Sequence, residues 1–498
     1  MNEQPKQFKW VGTRTIRPDG VDKVTGRAMY GADLTLPGML EGKVVRSPHA
    51  HAKIISIDTS KAAAMDGVKA VVTAADMPLA DPTPVASGEA MINLRDLSDN
   101  VIAREKVLYE GQTVAAVPAT SADIAERAAA LIEVEYEVLP HVIDVLEAMK
   151  DDAPVLHDYM FTGGIKPKPE KASNVANRVE FSLGDIEAGF AAADVVIEKN
   201  FPTEPVHQGY IEPHAVVADM GPDGKVDVFC SSQGHFMVRA FVAGLLKIDM
   251  SKIKVTAAEI GGGFGGKTTV YLEPLAVMLS RKAGRPVRMV MSRDEVFRAS
   301  GPTSGAALTI KMGATKDGRI TAGDATLYFQ AGAWPGSPVG PAAMTAFAPY
   351  DLENVKVVGF DVVSNRQKVV AYRAPGAPIS EYGVESIMDE LASELGIDPL
   401  EFRAMNGAKE GTQAAYGVKF GTIGMQETIA AAQATEHYKI PLGPNQGRGV
   451  ATGFWFNIGG ESCAGIRINE DGSVSLTEGS PDIGGSRASM AIMAAETL

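Results

Sequence analysis

The chain has 498 residues, 45% of them hydrophobic and 22% charged, so it is long enough for about three domains, each with its own core. Its 61 acidic and 47 basic residues give a net charge of -14, which disfavours binding to nucleic acid or to an anionic membrane. No apolar run approaches the roughly 20 residues of a membrane helix, and the N-terminus lacks the core of a signal peptide, so a cytoplasmic location is expected.

The metal-ligating residue types are sparse. Cys230 and Cys463 are too few to hold an iron–sulfur cluster or a zinc ion by thiolates alone, so any such cluster is expected on another chain. Both cysteines are expected to be buried, reduced thiols. His207 and His214 have no acid or cysteine partner at ligand spacing and are interpreted as structural.

The first part of the chain divides by composition. Residues 1–155 alternate short β-branched runs with alanine-rich helical patterns such as 121–132, which predicts an N-terminal α/β domain. Residues 156–177 are rich in proline, lysine and glycine, as linkers are. A boundary between domains is therefore predicted here.

A larger α/β domain is predicted over residues 178–435. Within it, Asp398 and Pro399 have the residue types of a helix N-cap and first turn, ahead of the segment LEFRAM that starts at Leu400. The N-terminal end of a helix is therefore predicted at this point.

The remaining residues, 436–498, begin a third domain. A strand is predicted over 449–456, a hairpin around Asp471-Gly472, and a helix over 487–498 after a glycine turn. This helix stops without a C-cap. We therefore expect an incomplete C-terminal domain, which either a partner chain completes or a longer sequence continues.

A glycine-rich loop, GGGFGGKT at 261–268, lies between a strand predicted over 253–260 and a helix predicted over 271–282. Backbone amides in such a loop can surround an anionic or electron-rich group. The loop also fits the nucleotide-binding pattern G-x-x-x-x-G-K-S/T. The next apolar run, 287–294, reaches its acid only after polar residues, which weakens that interpretation. The loop alone leaves a nucleotide site, another cofactor site and a structural turn open.

Several separated segments resemble, in the same order, the large subunit of the xanthine oxidase and aldehyde oxidoreductase family of molybdenum hydroxylases. The resemblance extends over nearly the whole chain from Gly12. The segments are RSPHAHAKI from Arg46, YEGQTVA from Tyr109, HQGYIEPH from His207, SSQG from Ser231, GGGFGGK from Gly261, AYRAPGAP from Ala371, LGIDPL from Leu395 and DGSVSLTEG from Asp471.

The resemblance implies an α/β (α+β), multi-domain molybdenum hydroxylase large-subunit fold. It further implies a molybdenum–pterin cofactor, molybdopterin or its cytosine dinucleotide form, which hydroxylates a heteroaromatic or aldehyde-type carbon with oxygen from water. Electrons would pass to 2Fe–2S clusters on a small subunit and to FAD on a medium subunit. The alternatives are a P-loop-like nucleotide-binding protein through 261–268 and a non-catalytic cofactor-binding module.

The same resemblance assigns cofactor contacts within this chain. It implies that the Gln233 amide hydrogen-bonds the oxo group of the metal and that the glycine loop packs its backbone against the metal centre. The family's pterin-binding glutamine is missing at Gly485, so backbone or Ser486 contacts are expected instead. The cofactor-binding residues implied are Gln233, Gly263, Phe264, Gly265, Arg373, Gly484, Gly485 and Ser486.

The substrate positions implied are Thr268, Pro375 and Phe456. Thr268 replaces a glutamate that binds the heterocycle in purine-hydroxylating members, which puts xanthine in doubt as substrate. Pro375 replaces an aromatic residue, and Phe456 aligns loosely with a second one, with core packing as its alternative role. Ala374 occupies the position of the copper-binding cysteine in the Tyr-Arg-Cys-Ser segment of carbon monoxide dehydrogenases, so carbon monoxide oxidation is disfavoured.

The family's catalytic base is a glutamate in a Gly-x-Gly-Glu segment, for which no counterpart is found here at the expected position. Glu461 follows Gly459-Gly460 but precedes the predicted hairpin, so it is interpreted as a surface or structural acid. We expect the base on a partner chain and no direct metal ligand in this one. This chain expressed alone should then be inactive, and its fallback bases would be Glu212, Glu259 and Glu461.

Overall fold

The computed structural model describes residues 8–87, 90–456 and 462–498. None of the helices in these ranges combines the length and apolar character needed to cross a membrane. The strands are β1 Leu40–Arg46, β2 Ala52–Asp58, β3 Val72–Thr73, β4 Pro84–Ser87, β5 Ala90–Asn93, β6 Lys106–Val107, β7 Thr113–Ala119, β8 Glu133–Val138, β9 Val175–Leu183, β10 Val195–Thr203, β11 Ala215–Met220, β12 Val226–Cys230, β13 Ile253–Ala257, β14 Val287–Val290, β15 Ala306–Ala314, β16 Ile320–Gly332, β17 Val355–Val363, β18 Ala464–Ile468 and β19 Val474–Glu478. The helices are α1 Gly20–Thr25, α2 Ser60–Ala63, α3 Leu94–Val101, α4 Ala122–Ala130, α5 Ile186–Ala191, α6 His235–Leu246, α7 Glu273–Ala283, α8 Arg293–Ala299, α9 Val339–Thr345, α10 Ala377–Leu395, α11 Pro399–Asn406, α12 Met425–Ala434, α13 Glu436–Lys439 and α14 Ser486–Thr497.

The chain divides into two compact units built from non-contiguous stretches. The first unit comprises the described residues within 1–139, 208–301 and 458–498, and the second those within 140–207 and 302–457.

The first unit is organised by a seven-stranded mixed sheet with the order β13-β12-β11-β14-β1-β7-β3. Strand β1 pairs in parallel with β14, with Leu40 opposite Val287. Both side chains are fully buried, as is Leu275 on α7, which contacts β11 and β14. This sheet places the end of β12 and the end of β13, which precede Gln233 and the glycine loop, side by side in parallel.

The second unit is organised by a five-stranded sheet with the order β10-β15-β16-β17-β9. Helix α10 contacts β10 and β15 and buries Val384, Ile387 and Leu391, which are spaced three and four positions apart, as one helix face requires. At Gly383 an added β-carbon would lie 2.9 Å from Ile310 of β15. The long helix therefore packs closely on the sheet.

Local sequence signals predicted several elements correctly. The Asp398 side chain caps α11 by accepting hydrogen bonds from Leu400 N and Glu401 N, with Pro399 in the first turn. Ser121 caps α4 in the same way through Ile124 N. Strands β18 and β19 form the predicted antiparallel hairpin. The mixed helix and strand content confirms the predicted α/β (α+β) class.

Two expectations were wrong. Residues 449–456 form an extended loop instead of a strand, because Thr452 N and Phe454 N donate at 2.8 Å to the carboxylates of Glu385 and Glu381 on α10 rather than to a neighbouring strand. Cys230 is buried as expected, but Cys463 is exposed, since the segment just before β18 lies at the surface.

The stretch 156–177, predicted as a linker, packs within the second unit. Leu156 is fully buried, its backbone N–H donates to Asn174 Oδ1 at 3.0 Å, and β9 already begins at Val175. The domain boundaries at 155, 177 and 435 stay a prediction, because the compact units are assembled from separate stretches of chain.

Candidate functional site

The glycine loop leaves β13 and follows an irregular path to α7. Gly262, Phe264 and Gly265 have φ angles of 94°, 53° and 102°. Glycine adopts this left-handed region readily, whereas a phenylalanine there is uncommon and must be held by its surroundings. The Phe264 side chain is 49% exposed. The loop therefore presents an aromatic ring and adjacent backbone to its outer side.

Gln233, between β12 and α6, organises this loop. Its Oε1 accepts hydrogen bonds from Gly265 N at 2.8 Å and Lys267 N at 3.2 Å, and its own backbone N donates to Lys267 O at 2.9 Å. Two N–H donors identify the bonded side-chain atom as the oxygen. Within the part of the chain that the structure describes, Nε2 has no hydrogen-bond partner, so its two protons remain available to a ligand.

A buried ion pair lies beneath the loop. Lys267 Nζ is 2.7 Å from Glu212 Oε2, and the lysine side chain is 0% exposed. The ammonium group also lies 5.0 Å from the centre of the Tyr210 ring. Burial lowers the pKa of Lys267, an effect that the Glu212 carboxylate opposes.

This arrangement argues against the nucleotide-binding alternative. In a P-loop the lysine reaches the phosphates, and the helix starts directly after the loop. Here Glu212 holds the Lys267 ammonium group inside the protein, and α7 begins only at Glu273. The loop matches the P-loop pattern in sequence but not in structure.

Two of the three alternative candidates for the catalytic base form ion pairs. Glu212 is paired with Lys267, and Glu259 pairs with Lys23 at 2.5 Å and with Arg487 at 2.9 Å. Both carboxylates are therefore held in ion pairs with lysine or arginine side chains. Glu461 lies outside the described residues.

The turn before α14 belongs to the first unit as well. The buried Asp482 accepts a hydrogen bond from Gly485 N at 2.6 Å, and the Ser486 hydroxyl donates to Pro481 O at 3.0 Å. Gly484 and Gly485 have φ angles of 130° and 111°. The ion pair between Arg487 and Glu259 links this turn to the residues just before the glycine loop.

Thr268 lies at the end of the glycine loop, where its hydroxyl donates to Gly265 O at 2.8 Å. It is thereby brought together with Gln233 and Gly265. The turn at 484–486 is linked to the residues before the loop by the ion pair between Arg487 and Glu259.

Arg373 and Pro375 belong to a strained loop of the second unit that precedes α10. Arg373, Ala374 and Gly376 have φ angles of 30°, 64° and 92°, and an added β-carbon at Gly376 would lie 2.4 Å from Pro338 O. Positive φ at two non-glycine residues is costly, and such strain is common at ligand sites. The Arg373 side chain is exposed.

Phe456 lies elsewhere in the second unit. Its ring packs edge-on against Tyr416 at 5.9 Å and Phe454 at 5.4 Å. These ring contacts agree with core packing, which was the alternative to a substrate contact for Phe456. Its contact with a substrate stays a prediction.

Sequence reasoning missed the ion pair between Glu212 and Lys267 as a structural unit. The two residues are 55 positions apart, and each belongs to a different conspicuous segment. No local pattern connects them, because the pairing depends on the sheet that brings the two segments together.

Comparison with known proteins is consistent with this geometry. Residues 25–140 match the family model "Aldehyde oxidase and xanthine dehydrogenase, a/b hammerhead domain", and residues 167–407 match "Molybdopterin cofactor-binding domain". The chain is similar in structure to quinoline 2-oxidoreductase from Pseudomonas putida 86, with a TM-score of 0.78 and 28% identity, over 87% of this chain and 55% of that one.

Two curated relatives differ in length. The nicotinate dehydrogenase large molybdopterin subunit of Eubacterium barkeri is 31% identical over 434 residues, which cover 86% of this chain and 96% of the relative. A probable xanthine dehydrogenase subunit of Bacillus subtilis (strain 168) is 34% identical over 396 residues, which cover 78% of this chain but 50% of the relative. The chain thus spans about half the length of some relatives and nearly all of another, and it belongs to the xanthine dehydrogenase and aldehyde oxidase family as a molybdopterin-binding large subunit.

Proposed function

We propose that this chain holds a molybdenum–pterin cofactor at the glycine loop and acts in a complex that hydroxylates a heteroaromatic or aldehyde-type carbon with oxygen from water. The observation that carries the proposal is the orientation of Gln233. Its amide oxygen fixes the loop through Gly265 N and Lys267 N, while its amide nitrogen stays available as a neutral donor.

The residues present fit such a group. At Gly263 an added β-carbon would lie 2.4 Å from Gln233 Oε1, so the loop can close over the amide only without a side chain there. Gly265, which has no side chain, then leaves its backbone open to the approach of a ligand beside the Phe264 ring. In the first unit, the residues proposed to hold the cofactor are Gln233, Gly263, Phe264, Gly265, Gly484, Gly485 and Ser486. The predicted cofactor contact of Arg373 stays a separate proposal.

When bound, the cofactor supplies the two-electron oxidation, while this chain orients it and shapes its surroundings. We propose that Thr268 and Pro375 face the substrate, with Phe456 as a weaker candidate. Thr268 offers a hydroxyl where purine-specific members carry a carboxylate, which favours N-heteroaromatics or aldehydes over xanthine. The electrons are proposed to leave through 2Fe–2S clusters and FAD on partner subunits.

The hairpin β18–β19 supports a further protein contact. The side chains of Ile466, Ile468 and Val474 are 52%, 68% and 41% exposed. A two-stranded hairpin with exposed apolar residues is marginally stable by itself. We propose that a polypeptide segment carrying the rest of the molybdenum domain covers it and supplies the catalytic base.

Dye reduction by the native complex, purified with every chain that accompanies this one, tests the proposal. N-heteroaromatics, aldehydes and xanthine are offered in turn. Substrate-dependent reduction with one of the first two classes, about tenfold faster than with xanthine, is expected. Bound molybdenum without any reduction across the screen would favour the non-catalytic alternative.

A further inference from the structure

One carboxylate joins the two ends of the glycine loop. Glu212 Oε2 accepts a hydrogen bond from Gly261 N at 2.8 Å, at the start of the loop, and the Lys267 ammonium group at 2.7 Å, at its end. The backbone N of Glu212 also donates to Gly261 O at 3.1 Å. The second carboxylate oxygen accepts from Gly31 N at 3.2 Å. The loop is therefore closed at its base by a single side chain.

The ion pair is almost completely removed from water. The side chains of Lys267 and Glu212 are 0% and 9% exposed. Burying two charges costs free energy that their attraction often fails to recover, and an apolar pair of similar volume is commonly at least as stable. Stability alone is therefore a weak reason for an ion pair here, whereas control of the loop geometry is a specific one.

Strand pairing does not set the shape of this loop. Gly261, Gly265 and Lys267 direct their backbone N–H groups to the side chains of Glu212 and Gln233. At Gly261 an added β-carbon would lie 2.5 Å from Glu212 Cβ, so the loop and the ion pair are in close contact. Moving either charged side chain would therefore move one end of the loop, Gly261 or Lys267, and with it Phe264 and Gly265 between them.

We propose that Glu212 and Lys267 are a positioning pair, which fixes the glycine loop so that Phe264, Gly265 and the Gln233 amide face the cofactor in one arrangement. This inference rests on the proposed function, because it names residues that hold the same site. Neither residue is assigned contact with the reacting atoms, and Glu212 is thereby removed from the candidate bases.

Hydrogen exchange of the wild-type complex tests the inference without any substitution. The backbone N–H groups of Gly261, Gly265 and Lys267 should exchange at rates similar to those of α7 and about tenfold or more below those of the hairpin turn at Gly472. Exchange as fast as that of the Gly472 turn would overturn the inference, whatever the variants do.

Variants then separate positioning from a merely structural role. The double variant Glu212→Gln with Lys267→Met removes both charges and nearly conserves side-chain volume, so it should fold. Either single variant, by contrast, would leave one buried charge unpaired. The melting temperature of the double variant should stay near that of wild type. Exchange over 261–268 should nevertheless rise about tenfold, and the molybdenum content should fall to about a third or less.

Lys282→Met is the matched control, because it removes a lysine of the same unit whose side chain is 47% exposed in its pair with Asp76. This variant should retain wild-type exchange over 261–268 and wild-type molybdenum content. The molybdenum(V) resonance spectrum of whatever cofactor remains should change in the double variant and not in the control. A double variant with wild-type exchange, metal content and spectrum would refute the positioning role.

The two proposals fail in different ways. A protected loop in a complex that contains no molybdenum would overturn the proposed function and leave the loop geometry intact. Molybdenum in a complex whose loop exchanges freely would overturn only the role of Glu212 and Lys267.

Discussion

Gln233 and Gly263 approach so closely that a β-carbon on Gly263 would lie 2.4 Å from Gln233 Oε1. No real β-carbon tolerates that distance, so the two residues depend on each other. The glycine lets the loop reach the amide, and the amide oxygen holds the loop through Gly265 N. The geometry of the candidate site therefore depends both on the Gln233 amide and on the absence of a side chain at Gly263.

Substitution of Gln233 should separate its two roles. Gln233→Ala removes the hydrogen bonds to Gly265 N and Lys267 N and should lower both stability, by about 1–3 kcal/mol, and turnover. Gln233→Glu keeps an acceptor for both backbone donors but loses the amide donor. It should retain bound molybdenum while turnover falls about 100-fold. Steady-state kinetics and metal analysis of both variants measure this, and unchanged kinetics in Gln233→Glu would refute the donor role.

Thr268→Glu should shift specificity towards purines, because a carboxyl at the end of the loop can hydrogen-bond ring nitrogens. We expect kcat/KM for a purine to rise about tenfold. Thr268→Val is the control, since it removes the hydroxyl that donates to Gly265 O without adding a carboxyl. If neither variant gains purine turnover, the role of Thr268 is confined to holding the loop.

Glu381 should make stability depend on pH. Burial, with help from the neighbouring Glu385 carboxylate, raises the pKa of Glu381 from 4.5 to about 7. The folded state therefore binds an extra proton between these values, and the free energy of unfolding should fall as pH rises through that window. Glu381→Gln keeps an oxygen for Phe454 N and should abolish this dependence, a gain of about 1–3 kcal/mol at about pH 8.

Denaturant unfolding from about pH 5 to pH 8 measures the effect. Glu394→Gln, an exposed position on the same helix, serves as the control and should follow the wild-type curve. Parallel curves for wild type and Glu381→Gln would contradict the assignment.

Asp482 should anchor the C-terminal segment to the N-terminal one. Its carboxylate lies 2.5 Å from Arg17 and 3.3 Å from Lys23. Burial opposes ionisation, but hydrogen bonds from Gly485 N and these two cations outweigh it and lower the pKa of Asp482 well below 3.8. The stabilisation is therefore complete above 3.8 and is lost as pH falls below it.

Asp482→Asn should expose residues 462–498 to limited proteolysis at neutral pH and cost about 2 kcal/mol or more. Asp223→Asn, which breaks the exposed pair with Lys225, should have little effect. The difference in stability between the wild type and Asp482→Asn should shrink steadily as pH falls below 3.8. A difference that persists at low pH would point to packing rather than charge.

Local signals were sufficient for several elements. The cap at Asp398, the helix within 121–132 and the hairpin around Gly472 each depend on residues within a few positions of one another, so the sequence alone predicted them. Residues 449–456 have the alternating pattern of a strand, yet Glu381 and Glu385 on a distant helix capture their backbone donors. That outcome is set by tertiary structure.

The candidate site was predictable only in part. The glycine loop was conspicuous in the sequence. Whether it binds a nucleotide or a molybdenum–pterin cofactor could be predicted only from the resemblance over the whole chain. The structure adds the position of Lys267, which pairs with Glu212 from 55 positions away through a sheet that also joins β1 to β14. Contacts between residues so far apart in the chain produce no local pattern, such as a helix or strand periodicity, that a single sequence could reveal.

The most direct test of the account is the molybdenum and pterin content of the purified complex, measured for the wild type and for Gly263→Ala. Gly421→Ala is the control, because an added β-carbon there meets nothing within 4 Å. We predict about one molybdenum and one pterin per chain in the wild type and the control, and a loss of most of both in Gly263→Ala. Absence of molybdenum and pterin from the wild-type complex, together with saturable binding of ATP, would contradict the account.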